Sequence, residues 1–190
     1  MGDEQSKCVW ITGAGKGIGR ALAKLMAKQG WTVAASSRTK EDLLSLISEC
    51  PSGKVIAFPL DVSDHEQTVL TIKAIENKIG KLDLVVLNAG THAPISVQNF
   101  SVELVRKLME VNFMGVVNSL SEIIPRFMKQ KTGQIAVVAS LAGYCGLPSA
   151  SAYGASKAAL INMCEALKPE LAEHGVRLNL INPGFVETPL

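Results

Sequence analysis

Two side chains suited to acid–base chemistry stand four residues apart late in the sequence. Tyr153 and Lys157 occupy positions i and i+4 of a segment with a helical pattern, so they lie on one face of the predicted helix. The other tyrosine, Tyr144, has Pro148 at the same offset and therefore no lysine partner. A positioned phenol can exchange a proton with a substrate oxygen. The same spacing is also common in ordinary amphipathic helices, so the pair needs support from its context.

Ser140 supplies part of that context because it ends the candidate strand that precedes this helix. The connection from residue 141 to residue 151 contains no charged residue before Tyr153 is reached. In parallel α/β sheets, functional sites form at the carboxyl ends of the strands. Thr12, Asn88 and Ser140 all fall at such ends, so the sequence predicts that they converge with Tyr153 on one cleft.

A glycine-rich turn follows the first candidate strand and leads into a helical segment. Glycines allow the backbone to turn tightly and to approach a pyrophosphate, and the positive end of the helix favours its charge. The spacing is Gly-x-x-x-Gly-x-Gly, not the strict Gly-x-Gly-x-x-Gly. The alternative is a turn that serves only close strand–helix packing. The residues that would contact the nucleotide here are Gly13, Gly15, Lys16, Gly17, Ile18 and Gly19.

The end of the second candidate strand favours NADP(H) over NAD(H). An acidic residue at this place usually binds the ribose 2′-hydroxyl of NAD, whereas an arginine accommodates the 2′-phosphate of NADP. Here the sequence places Ser37 and Arg38, with no acid. Arg38 can form two parallel hydrogen bonds to a phosphate, and Lys16 can add a second positive charge. The alternative is that both are solvated surface cations.

Polar residues after two further strands are candidates for nucleotide contacts. Asp61, followed by Val62, can accept a hydrogen bond from an adenine amino group, or it can cap the next turn together with Ser63. These two possibilities stay open. The small residues after Asn88 would let a cofactor pass close to the backbone, although such a sequence is also an ordinary turn. This second segment is Asn88, Ala89 and Gly90.

The elements that must position these residues alternate between strand and helix, which predicts a Rossmann-like α/β fold: a doubly wound parallel sheet with helices on both faces. Ser63 with Glu66 has the pattern of a helix capping box. Pro125 and Pro169 are expected to kink or end their helices unless packing compensates. The predicted strands are residues 7–12, 31–36, 54–59, 82–88, 134–140 and 176–181, and the predicted helices are residues 17–30, 41–49, 63–80, 101–131 and 151–174.

Composition limits the remaining possibilities. The 190 residues, 47% of them hydrophobic, suit one globular domain over residues 1–190. A net charge of +2 without a basic run gives no reason to expect nucleic acid as a partner. No segment resembles a membrane span or a secretory signal, so we expect a cytoplasmic location. The four cysteines form no Cys-x-x-Cys pair, and we expect no metal site.

Taken together, the motifs resemble the short-chain dehydrogenase/reductase family in its NADP-preferring branch. The resemblance covers essentially the whole chain, and the order of the motifs makes it specific. In such enzymes a further substrate-covering segment, helix and strand normally follow, so we expect the C-terminal part of the usual fold to be missing from this chain. The matching positions are residues 12–19, Asp61, Val62, residues 88–90, Asn112, Ser140, Tyr153, Lys157, residues 182–184 and Thr188.

The resemblance implies a role for each matching residue. Tyr153 would be the general acid that protonates a carbonyl oxygen during reduction, and Lys157 would favour its phenolate and bind the ribose hydroxyls. Ser140 would hold the substrate oxygen, and Asn112 would support a water that relays protons. The residues flanking the nicotinamide would be Pro183, Gly184 and Thr188.

The expected function is therefore hydride transfer between NADP(H) and a carbonyl or secondary alcohol substrate. The alternative is a non-catalytic module that senses NADP(H). Residues 91–100 and 141–152 contain no Lys, Arg, Asp or Glu, which favours a neutral or partly apolar substrate. The resemblance also implies a homo-oligomer, a dimer or tetramer, formed through the helices that contain Asn112 and Tyr153.

Overall fold

The structure is a computed structural model and describes residues 6–188. Strands and helices alternate along the chain as the hydrophobic pattern predicts. The strands are β1 (Cys8–Thr12), β2 (Thr32–Ser36), β3 (Val55–Ala57), β4 (Leu84–Leu87), β5 (Gly133–Val138) and β6 (Val176–Ile181). The helices are α1 (Gly17–Lys28), α2 (Lys40–Ser48), α3 (His65–Ile79), α4 (Val102–Met109), α5 (Gly115–Gln130) and α6 (Ser151–Glu173).

All six strands belong to one parallel sheet in the order β3-β2-β1-β4-β5-β6. The order reverses between β1 and β4, where the chain crosses from one half of the sheet to the other. In open parallel sheets this reversal opens a crevice at the carboxyl ends of the strands. The predicted Rossmann-like α/β fold is confirmed.

The sheet separates two hydrophobic cores because successive strand side chains point to opposite faces. On one face, Val9 and Ile11 pack with residues of α1 and α2, including Leu43. On the other face, Trp10 packs with α3, α5 and α6, and Phe127 is one of its large buried partners. Helices thus cover both faces of the sheet, and each βαβ crossover brings the next strand back in parallel.

The predicted helix over residues 101–131 is divided in the structure. α4 ends at Met109, a π-helical turn spans Glu110–Met114, and α5 follows. The turn interrupts a segment whose amphipathic helical pattern continues through it, so no change in residue type indicates it. Its consequence is local: the turn places the buried side chain of Asn112 toward the loop that follows β4.

The predicted capping box at Ser63 is wrong. α3 begins two residues later, and its N-cap is Asp64, whose Oδ1 accepts a hydrogen bond of 2.9 Å from the backbone N–H of Gln67. Ser63 instead donates to Asp61 in the preceding turn. A carboxylate suits a helix N-terminus because it accepts this hydrogen bond and also interacts favourably with the helix dipole.

Neither Pro125 nor Pro169 ends its helix. Both lie inside continuous helices, α5 and α6. Each proline removes a hydrogen bond to the carbonyl four residues earlier, at Ser121 and at Glu165. All four of these residues are exposed, so water can satisfy the freed carbonyl groups.

Candidate active site

A cleft of about 520 Å³ opens at the carboxyl edge of the sheet. Every strand is followed, within a few residues, by at least one residue that lines it, so the cleft is a product of the parallel topology rather than of one loop. Tyr153 and Lys157 of α6 complete the wall on the β5 side. The residues that follow β1 to β6 at the cleft are Gly13, Ser37, Leu60, Asn88, Ser140 and Pro183.

Close packing at the end of β1 requires glycine. Gly13 has φ of 67°, and a Cβ there would lie 2.8 Å from the Cα of Ala89. A Cβ at Gly19 would lie 2.6 Å from Nδ2 of Asn88. The packing interpretation of this turn therefore accounts for these two glycines. It does not account for the cleft that lies against the same turn.

The N-terminus of α1 faces this cleft without a side-chain cap. Lys16 occupies the N-cap position, where its side chain makes no capping hydrogen bond, and Gly17 and Ile18 line the cleft. The first amide groups of a helix have no intrahelical acceptor and carry partial positive charge. A phosphate is a ligand that satisfies both conditions.

Asn88 and Thr12 join the ends of the two strands where the sheet order reverses. Thr12 Oγ1 accepts hydrogen bonds from the backbone N–H groups of Asn88 and Ala89, at 3.0 and 3.1 Å. Asn88 Nδ2 donates in turn to the carbonyl oxygens of Thr12 and Gly13, at 3.1 and 3.3 Å. These bonds hold the floor of the cleft, so Asn88 has a structural role there.

Arg20 supports the glycine-rich turn from behind. Its guanidinium donates to the carbonyl oxygens of Gly15 and Asp42, at 3.2 and 3.0 Å, and forms an ion pair with Glu49 at 2.6 Å. The side chain thus ties the turn to α2. Sequence reasoning missed this residue because the spacing of Arg20, Asp42 and Glu49 shows no pattern before the fold brings them together.

The two predicted phosphate-binding cations differ in their surroundings. Arg38 is exposed at the end of β2 and lines the cleft, and no ion pair among residues 6–188 involves it. Lys16 also lines the cleft, but its Nζ lies 3.5 Å from Oδ2 of Asp42. A carboxylate that no sequence motif indicated therefore stands at the same end of the cleft.

Asp61 lines the cleft and also stabilises the turn before α3. Its Oδ1 accepts hydrogen bonds from the backbone N–H and the hydroxyl of Ser63, at 3.0 and 2.7 Å. The sequence leaves two roles open for Asp61, and its side-chain hydrogen bonds show the one in which it caps the turn together with Ser63. The contact with an adenine amino group stays a prediction.

Ser140 stands at the start of a short 3-10 turn, Leu141–Gly143, and its Oγ accepts a hydrogen bond of 3.2 Å from the N–H of Ala142. Two glycines allow this turn to lie against α6. A Cβ at Gly143 would lie 2.9 Å from the carbonyl carbon of Lys157, and one at Gly154 would lie 2.9 Å from the carbonyl oxygen of Ala142. This contact brings Ser140 to the cleft wall that contains Tyr153.

Lys157 is buried with 4% of its surface exposed, and its Nζ donates a 3.0 Å hydrogen bond to the carbonyl oxygen of Val138. Burial lowers the pKa of Lys157 to about 8 because an ammonium group loses its hydration there. The side chain therefore stays largely protonated at pH 7. Its charge lies 5.7 Å from the centroid of the Tyr153 ring.

Tyr153 is held between Lys157 and the imidazole of His92. The His92 and Tyr153 rings meet edge to face, with centroids 5.1 Å apart and an interplanar angle of 77°. This is a favourable aromatic geometry. His92 also lines the cleft, although nothing in the sequence distinguishes it from an ordinary loop histidine.

Asn112 lies behind the cleft and does not line it. Its Oδ1 accepts from the N–H of Thr91 at 2.7 Å, and its Nδ2 donates to the carbonyl of Thr91 at 2.9 Å and to Oγ of Ser156 at 3.2 Å. The Ser156 hydroxyl donates to the carbonyl of Tyr153 at 2.7 Å. The observed contacts thus connect the loop after β4 to the helix of Tyr153.

Similarity to known proteins extends over nearly the whole chain. The family model described as short chain dehydrogenase matches residues 7–190. The chain belongs to this family. The 3-oxoacyl-(acyl-carrier-protein) reductase FabG of Thermotoga maritima is 37% identical to it over 98% of the chain and 76% of that relative.

Solved structures of the short-chain dehydrogenase fold match closely. ElxO with NADP bound has a TM-score of 0.91 and 29% identity, over 97% of this chain and 75% of that one. A variant of actinorhodin polyketide ketoreductase with NADPH has a TM-score of 0.93 and 29% identity, over 100% of this chain and 74% of that one. No helix within residues 6–188 is long and apolar enough to cross a membrane.

In this short-chain dehydrogenase the structure brings most of the predicted site residues to one cleft. The exceptions are Gly19, which packs under the turn, and Asn112. Sequence reasoning also missed Leu60 and Val111, which line the cleft but have apolar side chains that suggest no chemistry. It missed Asp42 because the spacing between Asp42 and Arg20 shows no pattern before the chain folds. The predicted residues that line the cleft are Gly13, Gly15, Lys16, Gly17, Ile18, Ser37, Arg38, Asp61, Val62, Asn88, Ala89, Gly90, Ser140, Tyr153, Lys157, Pro183, Gly184 and Thr188.

Proposed function

We propose that the chain is an NADP(H)-dependent reductase that interconverts a carbonyl compound and the corresponding alcohol. The observation that supports this most directly is one continuous cleft in which Tyr153, Lys157 and Ser140 stand at one end and the glycine-rich turn and Arg38 at the other. We also propose that the chain acts as one nucleotide-binding domain.

The chain's own residues supply the proton side of the reaction. Tyr153 protonates the carbonyl oxygen during reduction and accepts the proton in the reverse direction. Lys157 favours the phenolate that remains, because a positive charge stabilises nearby negative charge. Ser140 donates a hydrogen bond to the substrate oxygen and orients it. The bound dinucleotide supplies the hydride.

Asn112 is a positioning residue in this proposal. Its amide bridges Thr91 and Ser156, and Ser156 in turn contacts the backbone of Tyr153. The water relay implied by the family resemblance remains a prediction for Asn112. In Asn112→Asp the carboxylate can still accept a hydrogen bond from the Thr91 N–H but cannot donate to the Thr91 carbonyl or to Ser156.

The residues at the β2 end of the cleft fit a dinucleotide with a 2′-phosphate. The uncapped N-terminus of α1 faces the cleft and suits the pyrophosphate. Arg38 and Lys16 both line the cleft, and we propose that they bind the 2′-phosphate. The absence of an acidic residue directly after β2 agrees with this preference. The NADP-bound states of the structural neighbours point the same way.

Replacement of Tyr153 by phenylalanine tests the mechanism. Loss of a general acid lowers turnover by about a hundredfold or more, so Tyr153→Phe is expected to lose NADPH oxidation with a panel of neutral ketones and aldehydes. NADPH binding should stay within about twofold of the unaltered chain, since the phenol is not its main contact.

Tyr144→Phe is the matched control because it removes the same hydroxyl from the other tyrosine of the chain, which lies outside the cleft. The Tyr144 hydroxyl accepts one exposed hydrogen bond, from Nδ2 of Asn182 at 3.1 Å, so the variant should keep most of the activity. Near-full activity in Tyr153→Phe would contradict the proposed mechanism. NADPH binding without hydride transfer to any carbonyl compound would instead favour the non-catalytic sensing module.

Further proposals concern the substrate class and the assembly of the chain. The uncharged residues 91–100 and 141–152 favour a neutral or partly apolar carbonyl compound. We propose a dimer or tetramer formed through residues 101–131, which contain Asn112, and through α6, as the family resemblance implies, and light scattering at several protein concentrations tests it. A cytoplasmic location stays a prediction of the sequence.

A further inference from the structure

The carboxylate of Asp42 lies among the cations that the proposed function assigns to the 2′-phosphate. Its Oδ2 is 3.5 Å from Nζ of Lys16, and both residues line the cleft together with Arg38. The Lys16 side chain is 65% exposed and that of Asp42 is 25% exposed. Lys16 is therefore the freer member of the pair and Asp42 the anchored one.

Two contacts anchor Asp42 beside the glycine-rich turn. Its backbone carbonyl accepts a 3.0 Å hydrogen bond from Arg20, which also holds the carbonyl of Gly15. Its Cβ lies 3.1 Å from the position that a Cβ on Gly15 would occupy. The backbone of Asp42 is therefore held next to the glycine-rich turn, in the first turn of α2, and its side chain lines the cleft.

We propose that Asp42 is a specificity-determining residue that lowers the affinity of this site for a ribose 2′-phosphate by holding Lys16. The inference rests on the proposed function. Lys16 carries a single positive charge on a flexible stem, and the carboxylate of Asp42 competes with a phosphate for that charge. A ligand with a 2′-phosphate must draw Lys16 from Asp42, whereas a ligand with a 2′-hydroxyl leaves the pair intact.

The test compares two fragments that differ only in the 2′-phosphate: adenosine 2′,5′-bisphosphate and 5′-AMP. Calorimetric titration of the whole chain is made with and without Asp42→Asn. Loss of the Asp42 charge leaves Lys16 available to the 2′-phosphate, so we expect the variant to bind the bisphosphate more tightly. Because solvent screens this exposed pair, the gain should be only about three- to tenfold. Its affinity for 5′-AMP should stay within about twofold.

Glu41→Gln is the matched control. It removes the same charge from the same first helical turn, but Glu41 is exposed and does not line the cleft. It should leave both affinities unchanged. In a Lys16→Met background, the gain from Asp42→Asn should be smaller, because only the direct repulsion between the Asp42 carboxylate and the phosphate is then relieved. Circular dichroism checks that each variant folds.

Three results would overturn the inference: equal tightening of both ligands by Asp42→Asn, the same tightening by Glu41→Gln, or a gain that is just as large without Lys16. Failure of the proposed function gives a different result. If the unaltered chain binds the two fragments equally, the 2′-phosphate site itself is wrong. If it prefers the bisphosphate and Asp42→Asn leaves that preference unchanged, only the role of Asp42 is wrong.

Discussion

The buried lysine beside Tyr153 places a positive charge where the fold disfavours it. Burial lowers the pKa of Lys157 to about 8, whereas the pKa of a lysine in an unfolded chain is about 10.4. The folded state thus loses this proton first as the pH rises. Below pH 8 the cost of the buried charge is present in full, and it disappears as the pH approaches 10.

Lys157→Met is therefore expected to be more stable than the unaltered chain at pH 7, by about 1–3 kcal/mol in the free energy of unfolding. The difference should shrink between pH 8 and pH 10, because the unaltered chain gains stability there and the variant has no such group. Urea unfolding at several pH values measures it. Lys168→Met, at an exposed position, should show no such trend. A difference that is independent of pH would contradict this explanation.

The presence of the Tyr153–Lys157 pair, Ser140 and Arg38 at one cleft was predictable from sequence, because Ser140 and Arg38 follow strands and the pair lies in the helix after Ser140. Arg20, Asp42 and the His92 contact were not. Arg20 lies in α1 and Asp42 in α2, and they meet only after both crossovers pack on one face of the sheet. A sequence pattern shows the periodicity of residues along one helix or strand. These contacts depend instead on how two separate elements are placed relative to each other.

At the scale of the element, the glycines under the 3-10 turn determine where Ser140 stands. Gly154→Ala would set a Cβ 2.9 Å from the carbonyl oxygen of Ala142. The turn must then move away from α6, and Ser140 moves with it. We expect a loss of about 1–3 kcal/mol in the free energy of unfolding and a fall in turnover, measured by urea unfolding and NADPH oxidation.

Gly146→Ala provides the comparison for Gly154→Ala. Gly146 lies in the same connection and has no positive φ, and a Cβ added there would meet no atom within 4 Å. Its stability and activity should be unchanged. Equal effects of the two substitutions would show that general loop stiffness, and not the contact with Ala142, positions Ser140.

The positions of the strands and of most helices were predictable from hydrophobic periodicity, and their observed ends differ from the predicted ends by only a few residues. The division of residues 101–131 into two helices and a π-helical turn was not predictable in this way. The π-helical turn at Glu110–Met114 lies where the buried amide of Asn112 contacts Thr91 and Ser156. These partners lie outside the helix, so a local pattern contains no sign of the turn.

At the scale of the whole molecule, the parallel order of the sheet decides where the cleft lies. All six carboxyl ends lie along one edge, and segments far apart in sequence meet there. NADPH should therefore slow amide hydrogen exchange at residues 13–19, 37–42, 88–92, 138–141 and 183–188 together. The opposite edge, at residues 30–32, 80–83 and 132–134, should exchange as before.

Mass spectrometry of exchanged peptides, with and without NADPH, measures this pattern. Protection spread equally over both edges would indicate a general stabilisation of the fold in place of binding at the cleft. Protection confined to one end of the cleft would show that only part of the dinucleotide is held there.

The measurement that tests the central claim most directly is a paired fluorescence titration of the chain with NADPH and NADH. We predict that NADPH binds about tenfold or more tightly than NADH, since Arg38 can form two charge-assisted hydrogen bonds to the 2′-phosphate. Arg38→Gln should remove most of that difference. Equal affinities in the unaltered chain, or no binding of either dinucleotide, would contradict the proposed NADP(H)-dependent function.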